Sequence, residues 1–146
     1  MKPFRFRLER LLELRRKQEE AAAMALSEAR RETARRRRRV EELQAKLRET
    51  DAIRLDAQLK GDWPEVFGAD RAGKRIQLDL EDANARVVES LEAEERARLE
   101  VVERMRAREI VDKLKEKAKE SYDKEVSAVE QKTTDDITNS RYGREV

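Results

Sequence analysis

The chain has 146 residues, of which 47% are charged, 38% hydrophobic and 4% aromatic, with a net charge of +2 and no cysteine or histidine. This composition supplies too little apolar volume for a rounded core and is typical of a long helix or coiled coil. It excludes disulfides and the commonest metal ligands, and predicts no strong field for attracting nucleic acid. No apolar segment has the length of a signal-peptide core or a membrane span, so we expect neither secretion by a standard signal nor membrane insertion.

Helix-breaking residues cluster near the middle of the sequence, at Gly61, Pro64, Gly68 and Gly73. Proline costs about 3 kcal/mol and glycine about 1 kcal/mol in a helix interior, so the cluster predicts a single bend. The predicted fold class is therefore all-α. Two long helices form an antiparallel coiled-coil hairpin without a compact globular core, as one unit over residues 1–146.

The predicted boundaries follow from the same breakers. Helix one covers residues 4–60, and the turn covers residues 61–63, or residues 61–69 if helix two starts late. Helix two covers residues 63–138 and extends beyond its partner as an overhang, and residues 139–146 form a frayed tail.

Two starts are open for helix two. Asp62 and Glu65 have the spacing of a capping box, with Pro64 in the first helical turn, where proline is tolerated. Alternatively Asp70 caps the helix and the preceding residues form a loop. We prefer the first. The side chains at the bend then either seal it or contact a partner; the turn and tip residues are Gly61, Asp62, Trp63, Pro64 and Phe67.

Helix one begins with more apolar side chains than a two-helix contact requires. Phe4, Leu8, Leu11, Leu12 and Arg15 share one helical face, whereas Phe6 and Leu14 lie off it. This surplus indicates either an adhesive coiled-coil end or a docking surface for a partner.

From there a heptad pattern favours a left-handed supercoil. Small and polar residues at the middle of this pattern reduce the apolar contact between the two helices there. The predicted positions in helix one are Ala22, Leu26, Ala29, Thr33, Arg36, Val40, Leu43, Leu47, Thr50 and Arg54. Those in helix two include Val87, Leu91, Glu94, Arg98, Val101, Met105, Arg108, Val111, Leu114, Ala118, Tyr122, Val126, Val129, Thr133 and Ile137.

A run of five arginines suggests nucleic-acid or acidic-lipid binding, but charge pairing favours a structural role. Residues 1–60 carry 18 basic and 11 acidic side chains, a net charge of +7, and residues 61–146 carry 17 and 22, a net charge of −5. A bend near residues 62–65 places the run opposite residues 84–95, which are acidic. Flanking charges of this kind fix register and orientation; the predicted set is Arg35, Arg36, Arg37, Arg38, Arg39, Glu89, Glu92, Glu94 and Glu95.

The sequence offers no basis for catalysis. It contains no glycine-rich phosphate loop, no histidine pair and no combination of nucleophile and base. Its many carboxylates lie on exposed helices, where no dry pocket shifts their pKa values. We therefore predict that the chain is not an enzyme and has no catalytic, cofactor or metal site and no small-molecule substrate.

Several short motifs lie along the chain in a fixed order. They are Phe4-x-Phe6-Arg7-Leu8-x-x-Leu11-Leu12-x-Leu14-Arg15, Trp63-x-x-x-Phe67, Tyr122-x-x-Glu125 and Glu130-Gln131-Lys132-x-x-Asp135-Asp136-Ile137-x-x-x-Arg141. With the length, the single hairpin and the longer second helix, these motifs resemble the FliJ family of small coiled-coil proteins of the bacterial flagellar type III export apparatus.

The resemblance implies a soluble export component that works in flagellum assembly, and hence in motility and chemotaxis. Its partners would be the hexameric export ATPase, bound at the ring's centre, and the cytoplasmic domain of the membrane export gate, bound nearer the bend. It would also escort export chaperones, and lie in the cytoplasm, peripherally attached to the inner face of the membrane at the flagellar base. The ring-facing residues carried over from the family motifs are Phe4, Phe6, Leu8, Leu11, Gln131, Lys132, Asp136 and Arg141.

Other functional classes stay open at this point. A generic structural or self-assembling coiled-coil spacer has the same composition, and an injectisome stalk homologue has the same layout. Nucleic-acid binding is a third class, and it predicts an affinity that falls steeply with salt.

Overall fold

A computed structural model describes residues 2–145, so Met1 and the last tail residue, Val146, lie outside the described residues. Two long helices make up nearly all of it: α1, Glu9–Lys60, and α2, Trp63–Glu145. They pack against each other in antiparallel directions, and the described residues contain no strand. The predicted all-α hairpin is confirmed. The chain divides into two compact units, one of Met1–Glu20 with Val102–Val146 and one of Ala21–Val101.

Helix α1 begins later than the sequence predicts, at Glu9 rather than at residue 4. Residues 2–6 form neither helix nor strand, and a turn at residues 7–8 leads into the helix. The Glu9 amide donates to the Phe6 carbonyl at 3.2 Å, which closes the turn. We call residues 2–6 the N-terminal strap.

The turn between the helices is built from a glycine cap and an aspartate cap. Gly61 has a φ of 70°. Its amide donates to the Gln58 carbonyl at 3.2 Å, and the Asp62 amide donates to the Ala57 carbonyl at 2.9 Å, which is the Schellman arrangement at a helix C-terminus. Asp62 Oδ1 then accepts the Glu65 amide at 3.3 Å, as an N-cap does. Helix α2 therefore starts at Trp63, the first of the two alternatives.

In the unit Ala21–Val101, the predicted heptad face of α1 lies against α2. Every predicted position from Ala22 to Arg54 is buried or half-buried, and Ala57 continues the pattern. The most buried of these positions carry small or polar side chains as well as Leu43. Arg54 occupies one position with a charged side chain, and its Nε finds no hydrogen-bond partner among residues 2–145.

Before Val126, the contact face of α2 differs from the predicted one at three positions, and beyond it the predicted Val129, Thr133 and Ile137 are exposed. Leu91, Arg98 and Leu114 are exposed. Ser90, Ala97 and Lys115 take their places, because these residues continue the heptad spacing that runs through the flanking contacts. The prediction was wrong there because it selected long or apolar side chains over small or polar ones one residue away.

In the unit Met1–Glu20 with Val102–Val146, the first turns of α1 pack on α2 around Leu12, which is 0% exposed. Val111 lies opposite on α2 and is also buried. Beyond Val126, every side chain of α2 from Ser127 to Arg144 is exposed. The helix continues to Glu145 instead of ending near residue 138, passing through Gly143 without a break.

Three threonines of this last segment each donate a hydroxyl hydrogen bond to the carbonyl four residues earlier. The acceptors lie 2.9–3.0 Å away, so these bonds follow the helical path and are compatible with it. Among the described residues, no helix is long and apolar enough to cross a membrane.

Candidate partner-binding site

The N-terminal strap lies on α2 rather than extending α1. The Tyr122 hydroxyl donates to the Lys2 carbonyl at 2.5 Å. The rings of Phe4 and Tyr122 have centroids 5.5 Å apart and are tilted by 53°, a favourable arrangement for two aromatic side chains. The strap is thus fixed at both of these residues, and Phe6 is half-buried beside them.

Lys119 completes this cluster from the preceding turn of α2. Its ammonium lies 5.3 Å from the centre of the Phe4 ring and 5.1 Å from that of Tyr122. A cation at this distance from an aromatic face is attracted by the ring's negative charge distribution. The sequence analysis missed Lys119, although its i, i+3 spacing to Tyr122 places the two on one helical face.

Ion pairs hold the adjoining part of α1 to α2. Lys115 Nζ lies 2.9 Å from a carboxylate oxygen of Glu9. Two turns earlier on α2, Arg108 contacts both Glu19 and Asp112. The hydrogen bonds that Arg108 donates to Glu19 and, with a smaller effect, to Asp112 raise the pKa of Arg108, so the guanidinium keeps its charge across the accessible pH range. These contacts link the start of α1 to the α2 segment that carries the strap.

The structure places the predicted ring-facing residues in two groups. Phe4, Phe6, Leu8 and Leu11 are half-buried at the start of the chain. The second group lies on the exposed continuation of α2, beyond the residues that contact the strap. At 1.5 Å per residue, its first member, Gln131, is about 13 Å along the helix from Tyr122. The exposed members are Gln131, Lys132, Asp136 and Arg141.

The tip of the hairpin presents large apolar side chains to solvent. Trp63 is 53% exposed and Phe67 is 61% exposed. Leu59, in the last turn of α1, is 88% exposed. Side chains that only sealed the bend would be covered, so these three together leave apolar area available for contact with another surface.

Only one arginine of the predicted register run reaches the opposite helix. Arg36 Nη1 donates to the Arg86 carbonyl at 2.7 Å and lies 3.6 Å from Glu89. Arg35 and Arg39 instead pair with glutamates of α1, and Arg37 and Arg38 are exposed without an ion pair among residues 2–145. The correction has a geometric cause, because five consecutive helical side chains point in different directions.

The glutamates of the predicted register set divide in the same way. Glu94 contacts Thr33 at 2.9 Å and Arg30 at 3.6 Å across the helix pair. Glu95 pairs with Arg98 on its own helix, and Glu92 is exposed. Arg30 and Thr33, which the charge argument did not include, therefore carry part of the cross-helix contact.

The described residues contain no group of acidic side chains arranged to hold a metal ion. The arrangement of aromatic, cationic and exposed helical surfaces is instead suited to binding another protein.

Comparison with family models agrees with this assessment. The family model described as the flagellar FliJ protein matches residues 4–146, nearly the whole chain. Comparisons with curated proteins and with solved structures gave no match. The match includes residues 4–6 of the strap, both helices and the turn. The chain belongs to the flagellar FliJ protein family, whose members are components of the flagellar protein export apparatus.

Proposed function

We propose that the chain is the stalk-like coiled coil of its export apparatus and binds the hexameric export ATPase ring. The binding surface would combine the strap and the start of α1 with the exposed end of α2. The observation that carries the proposal is the composition of the unit Met1–Glu20 with Val102–Val146. It holds a fixed aromatic strap together with a helical segment, residues 127–144, whose side chains are all exposed.

An isolated helix gains little stability by itself, and packing of one face normally stabilises it. The exposed segment carries Val129, Ile137 and Tyr142, which are 49%, 51% and 68% exposed. Binding to a partner would cover these side chains. A ring with a central opening offers such cover on several sides at once, which favours the ATPase over a flat surface.

We propose a second contact, between the tip and the cytoplasmic domain of the export gate. Trp63, Phe67 and Leu59 support it, because aromatic side chains are enriched at protein interfaces and these three are largely exposed. In this role the chain would couple the ATPase to the gate and escort export chaperones. It would then lie in the cytoplasm, peripherally attached to the membrane at the flagellar base.

The ring contact is tested by measuring the rate of the purified export ATPase against added chain. Replacement of Phe4 and Phe6 by alanine should reduce the stimulation several-fold, because it removes both strap rings. Helicity should be unchanged, since both residues precede α1. The matched control is Met24→Ala, which removes another exposed apolar side chain, 74% exposed, from the other unit.

Stimulation by the double variant that equals wild type would contradict the assignment of the strap to the ring. Sedimentation of chain and ATPase together separates this function from the alternatives. A discrete complex with the hexamer supports the stalk, whereas self-association without the ATPase supports a structural spacer. Binding to nucleic acid that weakens steeply with salt would support the third class.

A further inference from the structure

The N-terminal strap and the first turn of α1 carry four cations without neutralising partners. Lys2, Arg5, Arg7 and Arg10 are exposed, and none forms an ion pair within residues 2–145. The one acidic residue among them, Glu9, is paired with Lys115. Arg16, Arg30 and Arg36 pair with carboxylates of the facing helix. The four cations within residues 2–10 have no such partner among residues 2–145.

These cations alternate with apolar side chains that face α2. Phe4, Phe6 and Leu8 are half-buried. Beside them is a notch of about 410 Å³, with walls formed by the strap and by the Glu9–Lys115 ion pair. The residues that line it are Phe4, Arg5, Phe6, Glu9 and Lys115.

The surface is ordered before any partner binds. The hydrogen bond from Tyr122 to the Lys2 carbonyl and the packing of Phe4 against Tyr122 fix the strap at its start, and the Glu9–Lys115 pair fixes its end. A surface that is already ordered loses less conformational entropy on binding, and this favours affinity and selectivity. Free cationic tails lack this property.

We propose that this strap surface, formed by Arg5 at the notch and by Lys2, Arg7 and Arg10 on the same short segment, binds an acidic segment of a partner protein. The segment would place one apolar side chain in the notch and its carboxylates against the cations. The inference rests on the proposed function for the identity of the partner, the export ATPase. Charge complementarity identifies the chemistry of the occupant. An anionic membrane is disfavoured, because Phe4 and Phe6 pack on the protein and are not free to insert into lipid.

The test compares charge reversal at the strap with the same reversal elsewhere. Arg5→Glu with Arg7→Glu should weaken binding to the purified ATPase by about tenfold or more, because two attractions become repulsions. Arg5→Lys with Arg7→Lys should bind nearly as wild type does. The control is Arg37→Glu with Arg38→Glu, which reverses two exposed arginines of α1 that also lack an ion pair among residues 2–145. Circular dichroism should show equal helicity in all variants.

A second arm uses a fluorescent acidic peptide built of Glu, Leu and Ala, with a Lys version of the same peptide as its control. Wild type should bind the acidic peptide, with an affinity that falls as salt increases, and should not bind the basic one. Equal binding by wild type and the Arg5/Arg7 reversal, or equal loss in the Arg37/Arg38 control, would overturn the inference. So would Arg5-dependent cosedimentation with phosphatidylserine vesicles without peptide binding. If wild type binds the peptide but not the ATPase, the proposed function fails and the inference survives.

Discussion

Thr33 donates a hydrogen bond from its hydroxyl to Glu94 across the helix pair, at 2.9 Å. Thr33 is buried, and Glu94 also lies 3.6 Å from Arg30. Ser90, buried one turn earlier on α2, directs its hydroxyl to the Val87 carbonyl at 2.7 Å. The helix contact therefore contains a polar layer at this level, and a polar layer constrains which residues can face each other.

Thr33→Val should destabilise the unit Ala21–Val101, because it keeps the shape and removes the donor to Glu94. A double-mutant cycle with Glu94→Ala should give a coupling free energy of about 1 kcal/mol, the usual size for a partly exposed hydrogen bond. Thermal unfolding followed by circular dichroism gives the free energies of unfolding of wild type, the two single variants and the double variant. Additive effects of the two substitutions would show that the contact contributes nothing to stability.

Charge reversal at Arg36 should be more damaging than at its neighbours. Arg36→Glu removes the bond to the Arg86 carbonyl and places a carboxylate beside Glu32 and Glu89, so we expect a loss of about 1–2 kcal/mol. Arg37→Glu, its exposed neighbour, should change stability by less than about 0.5 kcal/mol. Adding Glu89→Arg should restore part of the loss in the Arg36 variant. Equal losses of stability in the Arg36 and Arg37 variants would contradict the assignment of the cross-helix contact to Arg36.

The helix contact could be predicted from the sequence wherever apolar side chains keep the heptad spacing. All predicted α1 positions from Ala22 to Arg54 are covered. On α2 either Ser90 or Leu91 could follow Val87 at a heptad spacing of three or four residues. Leu91 is the more apolar of the two and was therefore predicted. The competition between a regular spacing and a larger side chain could not be resolved without knowing the position of the partner helix.

The glycines near the turn should respond to alanine in opposite ways. Gly68→Ala and Gly73→Ala should each stabilise by about 1 kcal/mol, because both lie inside α2, where alanine is the better helix former. A Cβ at Gly73 would meet Leu47 Cδ1 at 3.9 Å and Thr50 Cγ2 at 4.0 Å, which are ordinary contacts. Gly61→Ala should destabilise by about 1–2 kcal/mol, because φ is 70° there. Chemical denaturation measures all three, and a stabilised Gly61 variant would contradict the turn.

Glu32 makes part of the stability depend on pH. Hydrogen bonds from Arg35 and then from Arg36 lower the pKa of Glu32 below its usual range. A carboxyl whose pKa is lower when folded contributes stability above the unfolded pKa, about 4.3, and this contribution is lost as pH falls through the folded value. Glu32→Gln should therefore lower Tm at pH 7 but leave it equal to wild type well below pH 4.

The matched control for this pH experiment is Glu41→Gln, another glutamate of α1, which is exposed and has no ion pair among residues 2–145. Its Tm difference from wild type should stay small at every pH. A Glu32 difference that persists in strong acid would show that side-chain packing, rather than charge, causes the effect.

The strap could not be predicted from local sequence. Phe4, Leu8 and Leu11 have helical spacing, and the prediction of a helix from residue 4 followed that pattern. The non-helical path is instead associated with contacts to Tyr122 and Lys119, which are distant along the chain. A periodic pattern indicates the helical preference of neighbouring residues. It contains no information about an aromatic ring more than a hundred residues away along the chain. The turn, which depends on neighbours alone, was predicted correctly at Asp62 and Trp63.

The last prediction separates the two proposed contacts by damaging each alone. Truncation after Val129 removes the predicted residues Gln131, Lys132, Asp136 and Arg141, all exposed, and should weaken ATPase binding. The strap and its contacts with Tyr122 lie before the cut and should be kept. Trp63→Ser with Phe67→Ser should weaken binding to the gate domain, because two largely exposed aromatic side chains leave the tip.

Each variant is the control for the other, since both remove exposed side chains from α2. The truncation should bind the gate domain as wild type does, and the tip variant should stimulate the ATPase as wild type does. Surface plasmon resonance with each immobilised partner, together with ATPase rates, measures both properties. If one variant loses both partners while its helicity is intact, the two contacts share a surface and the assignment of one to the tip is wrong. If neither variant loses a partner, the exposed apolar side chains at both places do not form the binding surfaces.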